Sequence, residues 1–467
     1  MESAKNHTKK GADSMIPQIS SFEKSQNAIF SAMSELKIAR LLHNSNIRKS
    51  CGITVFKIFE LLILLVFKHK NLFQHLTSKH NDHSISKNTV YRFLSNPSFN
   101  WKRFLLLLSV RVTTEFRKLT CKNRISVLIL DDSVTRRNRS KVVELLAKVY
   151  DHVFHEFVRG FNLLAIGWSD GFSFVPVSFT LLSSAKKSNR YQEASKEIDH
   201  RSNGWKTRVE SMLSKPEAAF NMVKRVLEAG IEANYILMDS WFTTEPFIKQ
   251  LSTLGMDVIG RIKDVKQRYL YKGKRYTLHQ LSKIVLNKAY NCQYRSIVVK
   301  TNKHNITVRL VFVRNKSNKN NLVYLLTTDT SLSEDEIIRI YGIRWKIETF
   351  FKASKSLLKL CDEFQTQNYD SAVAHTAIVF TRYTLLEWLR RQNNDPKTYG
   401  GLFFELCDDV QDIDLIEALT SLMTLFIEII NDRGTENTEF IKSKVAYWIA
   451  SQRTYIKDIL PNLCWES

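Results

Sequence analysis

Two short apolar runs that each end in aspartate constrain the fold of this 467-residue chain more than any other feature. The first covers residues 125–130 and is followed by Asp131 and Asp132, and the second covers residues 235–238 and is followed by Asp239. Runs of this length and composition are typical of buried strands. A carboxylate that directly follows such a strand is fixed by the sheet, yet it is exposed at the sheet edge. The pattern therefore predicts a sheet that brings separate aspartates together.

Further strands and helices are predicted around the two runs. Residues 161–168 and 172–181 read as two strands that are joined by a Ser-Asp-Gly turn. A helix is predicted over residues 215–229, with proline in its first turn and glycine just past its end. After the second aspartate we expect a helix over residues 244–254 and a strand over residues 258–262. This order predicts a mixed sheet whose strand ends face a later helix.

A third carboxylate lies on a predicted helix that begins at Ser333, which has glutamate three positions on, the spacing of a capping box. Further along, Tyr341, Arg344, Glu348 and Lys355 fall within about 60° of one another around a helix. A core face would be apolar, whereas this face carries a phenol, a guanidinium, a carboxylate and an ammonium. We interpret it as one metal-binding carboxylate that is flanked by groups suited to phosphates.

The overall charge favours a polyanionic partner. Lysine and arginine number 69 against 46 acidic residues, which gives a net charge of +23 and indicates nucleic acid. The six cysteines form no CxxC pair, which favours a reducing compartment over a zinc ribbon or a disulfide framework. The densest apolar run, residues 61–67, is too short to span a bilayer. With no signal-peptide core at the N-terminus, we expect a cytoplasmic, nucleoid-associated protein without a membrane partner.

Asp131, Asp239 and Glu348 are the predicted catalytic and metal-binding residues. Hydrolysis of a phosphodiester needs an activated water and a stabilised leaving oxygen, and two divalent ions supply both. Mg²⁺ prefers oxygen ligands and keeps several waters, so a few carboxylates suffice to hold it. Neighbouring side chains in a strand face opposite ways, so only one residue of the Asp131-Asp132 pair should face the site. We favour Asp131, with Asp132 as the alternative first aspartate.

These residues resemble the DDE transposases of bacterial insertion sequences, in the branch called the insertion-sequence-four family. That family carries Tyr, two residues, Arg, three residues, Glu, six residues and Lys, and Tyr341, Arg344, Glu348 and Lys355 match this spacing without deviation. The segments LILDDS and YILMDSWF are similar to the two aspartate strands of the family. The resemblance covers roughly residues 50–450.

The resemblance implies an α/β fold with an RNase H-like mixed-sheet catalytic core, a β-rich insertion, and helical regions at both ends. The predicted domains are a helical DNA-binding region at 1–120, the first part of the core at 121–263, the β-rich insertion at 264–330, the catalytic helix of the core at 331–365, and a helical C-terminal region at 366–467.

The resemblance also implies an activity, which is cut-and-paste transposition by metal-dependent strand cleavage and strand transfer, with a hairpin intermediate as one route. Two Mg²⁺ or Mn²⁺ ions are the expected cofactors. The expected partners are double-stranded DNA, as terminal inverted repeats and as target, and a second copy of the chain in a homodimer. Tyr341, Arg344 and Lys355 would bind phosphates. Trp345 is a candidate for stacking on an unpaired base, with a place in the core as the alternative.

Two other functions stay open on the sequence. A stand-alone RNase H-like nuclease would carry the same carboxylates and would leave no joined product. A DNA-binding protein derived from a transposase and without catalysis would also be basic. The presence of all three carboxylates argues against this second alternative.

Overall fold

The computed structural model describes residues 28–77, 85–119, 124–265, 267–286, 294–314, 322–360, 367–392, 397–410 and 438–452, together with positions 419, 422, 425 and 426. The predicted DNA-binding region falls partly outside these residues, since positions 1–27 and 78–84 are not among them.

Helices make up the N-terminal region, as the sequence predicts. They are α1 Ala28–Glu35, α2 Ile38–Asn44, α3 Val55–Leu64, α4 Leu72–Thr77, α5 Lys87–Leu94 and α6 Trp101–Lys118. Side-chain oxygens cap the N-termini of three of these helices, where backbone N–H groups otherwise lack partners. The caps are Thr54, Ser86 and Asn100. The buried face of α6 packs against the central sheet, so this region is joined to the core.

One mixed sheet of eleven strands forms the centre of the protein. Its first part contains β1 Val127–Arg136, β2 Ala147–Asp151, β3 Glu156–Ser169, β4 Phe174–Leu182, β5 Tyr235–Met238 and β6 Asp257–Ile262. Strand β3 pairs antiparallel with β1, β2 and β4, whereas β5 pairs parallel with β1 and with β6. The order β4-β3-β1-β5-β6, with three antiparallel strands followed by two parallel ones, is the RNase H-like arrangement.

The β-rich segment extends this sheet. It contributes β7 Arg268–Tyr271, β8 Lys274–Thr277, β9 Tyr294–Thr301, β10 Thr307–Arg314 and β11 Leu322–Thr327. Strand β11 pairs antiparallel with β6, which joins the segment edge to edge with the core. The fold class expected from the sequence, a mixed α/β core with a β-rich insertion and helical regions, is therefore confirmed. The exact domain limits remain a prediction.

The remaining helices lie after β4 in the chain, and several of them pack against the sheet. They are α7 Asn203–Ser211, α8 Lys215–Glu228, α9 Glu245–Ser252, α10 Leu278–Leu286, α11 Glu334–Gly342, α12 Trp345–Ser356, α13 Tyr369–Gln392, α14 over residues 399–410 and α15 Thr438–Ser451. Helix α13 is buried from Tyr369 to Trp388 and packs against β4, α6 and α12. It therefore lies at the centre of the helical side of the protein.

A buried ionic group ties α13 to the sheet side. The Arg208 guanidinium of α7 donates to Glu144 at 2.6 Å and to Asp370 at 2.7 Å, and all three side chains are buried. Glu144 also accepts hydrogen bonds from the backbone N–H groups of Ser195 and Tyr369. Buried charges are tolerated only when they are paired and hydrogen-bonded in this way.

Two local predictions are wrong. Strand β1 does not end before Asp131 but continues to Arg136, because the long antiparallel partner β3 supplies hydrogen bonds along the whole of it. The Ser333 helix with its capping box is confirmed, but it ends at Gly342, and α12 begins after a break. At the break the N–H groups of Arg344 and Lys346 bond to carbonyls three residues back, which is tighter than an α-helix. A glycine at this point lowers the helix propensity further.

Among the described residues, no helix is both long enough and apolar enough to cross a membrane.

Candidate active site

Strand register brings the two predicted aspartates side by side. Strands β1 and β5 are parallel neighbours, with Leu130 opposite Met238. Asp131 and Asp239 directly follow this pair, and neighbouring strands lie about 4.8 Å apart. The apolar runs before them are buried, so the sheet fixes both backbones. The first step of the sequence prediction, the meeting of two aspartates at one edge, thus has a simple origin in strand pairing.

Asp131 is a half-buried carboxylate with two other acidic side chains, Asp132 and Asp239, nearby. Its Oδ1 accepts a hydrogen bond of 2.9 Å from the N–H of Asp132, and its Oδ2 accepts one of 2.8 Å from Nη1 of Arg344. Burial raises the pKa of Asp131 to about 7, and the charges of Asp239 and Asp132 add to this rise, whereas Arg344 opposes it. A group with this environment favours a cation or a proton beside it.

Arg344 lies between two of the predicted carboxylates. Its Nη1 contacts Asp131, and its Nη2 pairs with Glu348 one helical turn further along. Burial lowers the pKa of Arg344, but the neighbouring Tyr341, Asp131 and Glu348 outweigh it, so the pKa is raised and the guanidinium stays charged. The structure therefore gathers Asp131, Arg344 and Glu348 into one contiguous group, although they come from β1 and from the start of α12.

Tyr341 lies at the side of this group, in the last turn of α11 and directly before the helix break. The guanidinium carbon of Arg344 lies 5.9 Å from the centre of its ring. Burial raises the pKa of Tyr341, the charges of Arg344 and Arg261 lower it, and that of Asp239 raises it. These influences show that Tyr341 is close to both Asp239 and the arginines. The break between α11 and α12 leaves Tyr341, Arg344 and Glu348 in one place, as their spacing predicts.

Asp132 faces the other side of β1. Its Oδ2 accepts hydrogen bonds from Nζ of Lys215 at 2.9 Å and from Nδ2 of Asn162 at 2.7 Å. The side-chain contacts of Asp131 and Asp132 thus differ completely, which agrees with the alternation of side chains along a strand. Of the two candidates, Asp131 is the one in contact with Arg344. The choice between them as a catalytic residue stays a prediction.

Asp239 holds the turn that follows β5. Its Oδ1 accepts hydrogen bonds from the N–H groups of Trp241 at 2.9 Å and Phe242 at 3.2 Å. The two hydrogen bonds to Oδ1 orient the carboxylate. Among the described residues, Oδ2 has no hydrogen bond. Asp239 thus offers one oxygen beside Asp131.

The other predicted residues lie along the same helix. Nζ of Lys355 donates to Oγ of Ser133 at 2.7 Å and to the carbonyl of Val134 at 3.1 Å, so it lies against β1 two residues beyond Asp131. Trp345 is 66% exposed, which excludes the core position considered as its alternative.

The three carboxylates were tested as a metal site. Within the ranges that the structure describes, no group of three or more His, Cys, Asp or Glu residues is close enough to hold an ion as it stands. The donor chemistry nevertheless fits a hard divalent ion, because carboxylate oxygens are its preferred ligands. Burial makes the ionised form of Asp131 costly, and a bound cation would offset that cost. Asp131, Asp239 and Glu348 could therefore hold such an ion once Arg344 releases its two carboxylates.

Several residues near the site were not singled out by the sequence. Asn162 and Lys215 hold Asp132, and the Lys215 ammonium lies 4.7 Å from the centre of the Trp241 ring. Of these residues, only Trp241 could have been indicated by the sequence, because it is an aromatic residue two positions after Asp239. Neither Asn162 nor Lys215 has a local pattern that predicts its contact, because β3 and α8 meet β1 only through the fold.

A cleft adjoins the group on the far side of Asp132. Its volume is about 490 Å³, and residues of β1, of the turn between β2 and β3 and of the end of α12 line it. Asp132, Ser133 and Lys355 belong to its lining, as do Arg136 and Phe154. It thus extends from β1 towards the β2–β3 hairpin, and it carries both acidic and basic groups.

Comparison with known families supports a DDE transposase. Residues 63–276 match the model of the DDE superfamily endonucleases, and residues 217–385 match that of the transposase DDE domain. The first match contains Asp131, and the second contains Glu348 and the break before it. These families suggest a nuclease-type enzyme. The insertion-sequence-four branch is a finer assignment that these matches do not reach.

No curated protein sequence matches the chain significantly. Among solved structures, the strand transfer complex of the Drosophila P element transposase matches at 10% identity and a TM-score of 0.21, with 91% of this chain and 99% of that chain covered.

Proposed function

We propose that the protein is a DNA transposase that cuts and joins the ends of its own insertion sequence. The observation that carries this proposal is the group formed by Asp131, Arg344 and Glu348, with Asp239 beside it on the neighbouring strand. Carboxylates from separate segments meet here around a guanidinium, at the edge of a mixed sheet in a strongly basic chain. Such a site suits in-line displacement at phosphorus on a polyanionic substrate.

Asp131, Asp239 and Glu348 would hold two Mg²⁺ or Mn²⁺ ions. When bound, divalent ions activate the attacking hydroxyl and stabilise the leaving oxygen. The chain's own contribution is to fix the carboxylates, two through β1 and β5 and one through α12, whose buried Ile347 and Phe350 anchor it to the core. The same three residues would serve both strand cleavage and strand transfer.

Arg344, Tyr341 and Lys355 would hold the phosphates next to the scissile bond. Arginine binds a phosphate through two parallel hydrogen bonds, and lysine acts as a compact charge. Arg344 is engaged by Asp131 and Glu348. We infer that it exchanges these carboxylates for a phosphate when DNA and ions bind, so that the site gains its ligands and its substrate contact together.

Trp345 is the proposed stacking residue. It follows Arg344 directly and is exposed, so its ring is available to a base that leaves the duplex. This role would be needed if cleavage proceeds through a DNA hairpin, which we propose as the route. The partners in that reaction are the terminal inverted repeats, the target DNA and a second copy of the chain, since two ends must be brought together.

We also infer that the chain is a member of the insertion-sequence-four branch of the DDE transposases. The support is the unbroken spacing of Tyr341, Arg344, Glu348 and Lys355, together with the β-rich segment between Asp239 and that helix. A nucleoid-associated, cytoplasmic location would follow from this activity.

A strand-transfer assay tests the function. The substrates are duplexes that end in the inverted repeats flanking the coding region, with a supercoiled plasmid as target, in the presence of Mg²⁺. We expect end cleavage followed by joined products in the plasmid. Cleaved ends without joined products would instead assign the protein as a nuclease, and binding without cleavage would assign it as a DNA-binding protein.

A further inference from the structure

The tip of the β2–β3 hairpin exposes large apolar side chains together. Val153 is 79% exposed, Phe154 65% and Phe157 62%. Apolar side chains exposed singly are normal, whereas neighbouring ones mark an interaction surface. We call these three residues the hairpin tip. No role for it follows from the carboxylate site alone.

The hairpin tip is held rigidly at its base. Asp151, which is buried, accepts a hydrogen bond of 2.9 Å from the N–H of Val153 and another of 2.9 Å from Nε of Arg136. Arg136 also lies 3.4 Å from Glu156 on the opposite strand. The turn is thus fixed to β1 by an ion pair between the buried Asp151 and the partly exposed Arg136, and its apolar residues project from this support.

The hairpin tip also borders the catalytic strand. Phe154 lines the same cleft of about 490 Å³ as Asp132, Ser133 and Lys355. Strand β1, which carries Asp131, also carries the Arg136 that holds the turn. A duplex whose phosphate reaches the carboxylates would therefore pass close to the tip.

The charges around the tip decide which partner it suits. The guanidinium carbon of Arg136 lies 4.1 Å from the centre of the Phe154 ring, and the ammonium of Lys148 lies 4.6 Å from that of Phe157. Apolar groups interleaved with cations suit a partner with an apolar interior and an anionic exterior, which describes stacked bases between phosphates. A second copy of the chain would bring the same cations against each other and is disfavoured.

We propose that the hairpin tip is a wedge that inserts Phe154 and Val153 between base pairs beside the phosphate bound at the carboxylates. The inference rests on the proposed function to the extent that DNA is the partner. Apolar side chains that enter a base step unstack it and kink the duplex by about 20–90°. Lys148 would bind a phosphate beside the opened step, while Arg136 keeps the turn in place. Such a kink would expose the phosphate that is to be cut.

Fluorescence energy transfer between the two ends of a duplex tests the wedge. The probe is a random-sequence duplex of about 20 base pairs, whose ends are roughly 68 Å apart when straight. It is titrated with the full chain in the presence of Ca²⁺, a divalent ion that binds the same kind of oxygen ligands, and a denaturing gel confirms that the duplex stays uncut. We expect the transfer efficiency to rise on saturation with wild-type protein because the duplex bends.

Two substitutions separate the tip from DNA binding in general. Phe154→Ala should bind the duplex within about tenfold of the wild-type Kd, because the cations remain, and should lose most of the rise. The matched control is Phe404→Ala, which removes a ring of similar exposure, 57%, from α14 and should keep the rise. Both side chains are exposed, so circular dichroism and Tm should show unchanged folding.

Each other outcome has a definite meaning. Wild-type binding without any rise overturns the wedge and leaves the proposed function standing. A rise that persists in Phe154→Ala also overturns it. Absence of DNA binding by the wild type overturns both the wedge and the proposed function. If the wild type sediments as a dimer that Phe154→Ala dissociates, while the rise is unaffected, the tip is an interface between copies and the wedge is wrong.

Discussion

Nη1 of Arg344 donates a hydrogen bond of 2.8 Å to Oδ2 of Asp131, which joins two residues that lie 213 positions apart in the chain. The same guanidinium pairs with Glu348, so one cation holds two of the three carboxylates proposed to bind metal ions. This arrangement offsets the repulsion between the two carboxylates. It also means that metal binding and release of Arg344 should be coupled.

Arg344→Ala should strengthen the response of the free protein to divalent ions. Without the guanidinium, Asp131 and Glu348 have no cation between them, so the variant should be less stable by about 3 kcal/mol in EDTA. Mn²⁺ should then raise its Tm more than that of the wild type, because no ion pair has to be broken first. Differential scanning fluorimetry over a Mn²⁺ titration measures both effects.

The matched control for this change is Arg339→Ala, which removes an exposed arginine from α11. Its Tm and its Mn²⁺ response should stay close to those of the wild type. Equal Mn²⁺ responses in Arg344→Ala and in the wild type would show that Arg344 does not compete with the ion.

The contribution of the Asp131 carboxyl to the stability of the protein in EDTA should fall as the pH rises from about 4 to about 7. Burial raises the pKa of Asp131 to about 7 in the folded protein, so between its unfolded pKa of 3.8 and that value the folded state binds the proton more tightly. Raising the pH removes that preference, at a cost of about 4 kcal/mol at most, and the loss ends above pH 7. Urea unfolding in EDTA across this range measures it.

Asp131→Asn should flatten that part of the profile, because the amide does not titrate. The difference in unfolding free energy between variant and wild type should therefore change steadily between pH 4 and pH 7. A difference that is constant across this window would contradict the raised pKa.

Arg208→Ala should be among the most destabilising single changes in the chain. It leaves Glu144 and Asp370 buried without their cation, and loss of one partner of such a pair costs about 3–5 kcal/mol. Arg201→Ala serves as the control, since its ion pair with Asp199 is exposed to solvent and should contribute little to stability. Urea unfolding compares the two, and similar losses would contradict the structural role of the buried group.

Trp345→Ala should leave the free energy of unfolding within about 0.5 kcal/mol, because the ring is exposed. If the ring stacks on an unpaired base, the same variant should reduce hairpin and joined products while initial nicking continues. Denaturing gels of end-labelled substrate resolve these products. Unchanged yields of all of them would remove Trp345 from the mechanism.

The elements that sequence predicts well are those with a complete local signal. Strand β5 has the limits expected, and α8 and β6 lie within one residue of theirs, because apolar runs bounded by turn residues specify them. Strand β1 continues six residues beyond its predicted end, because its second half, DDSVTR, is mostly polar and carries no strand pattern. Only pairing with β3 makes it a strand, and that partner is about thirty residues away. Strand β2 was missed for a related reason, since its five residues are mixed in character.

In the candidate site, too, some contacts follow from local sequence patterns and others depend on the fold. The adjacency of Asp131 and Asp239 follows from two short strands that pair in register, and the helix spacing correctly groups Tyr341, Arg344 and Glu348. The ion pair of Arg344 with Asp131 could not be predicted, because it depends on where α12 crosses the sheet. The contacts of Asp132 with Lys215 and Asn162 also join residues that are distant in the chain, so no local sequence pattern predicts them.

The central claim is that Asp131, Asp239 and Glu348 form the catalytic group, and cleavage of end-labelled inverted-repeat DNA in Mg²⁺ tests it most directly. Asp131→Asn, Asp239→Asn and Glu348→Gln should each lower the cleavage rate by at least about a hundredfold while binding DNA, since bound ions supply several kcal/mol of the stabilisation. Asp132→Asn, the neighbour held by Lys215, should stay within about tenfold of the wild type. Normal cleavage by any of the first three, or a loss confined to Asp132→Asn, would contradict the account.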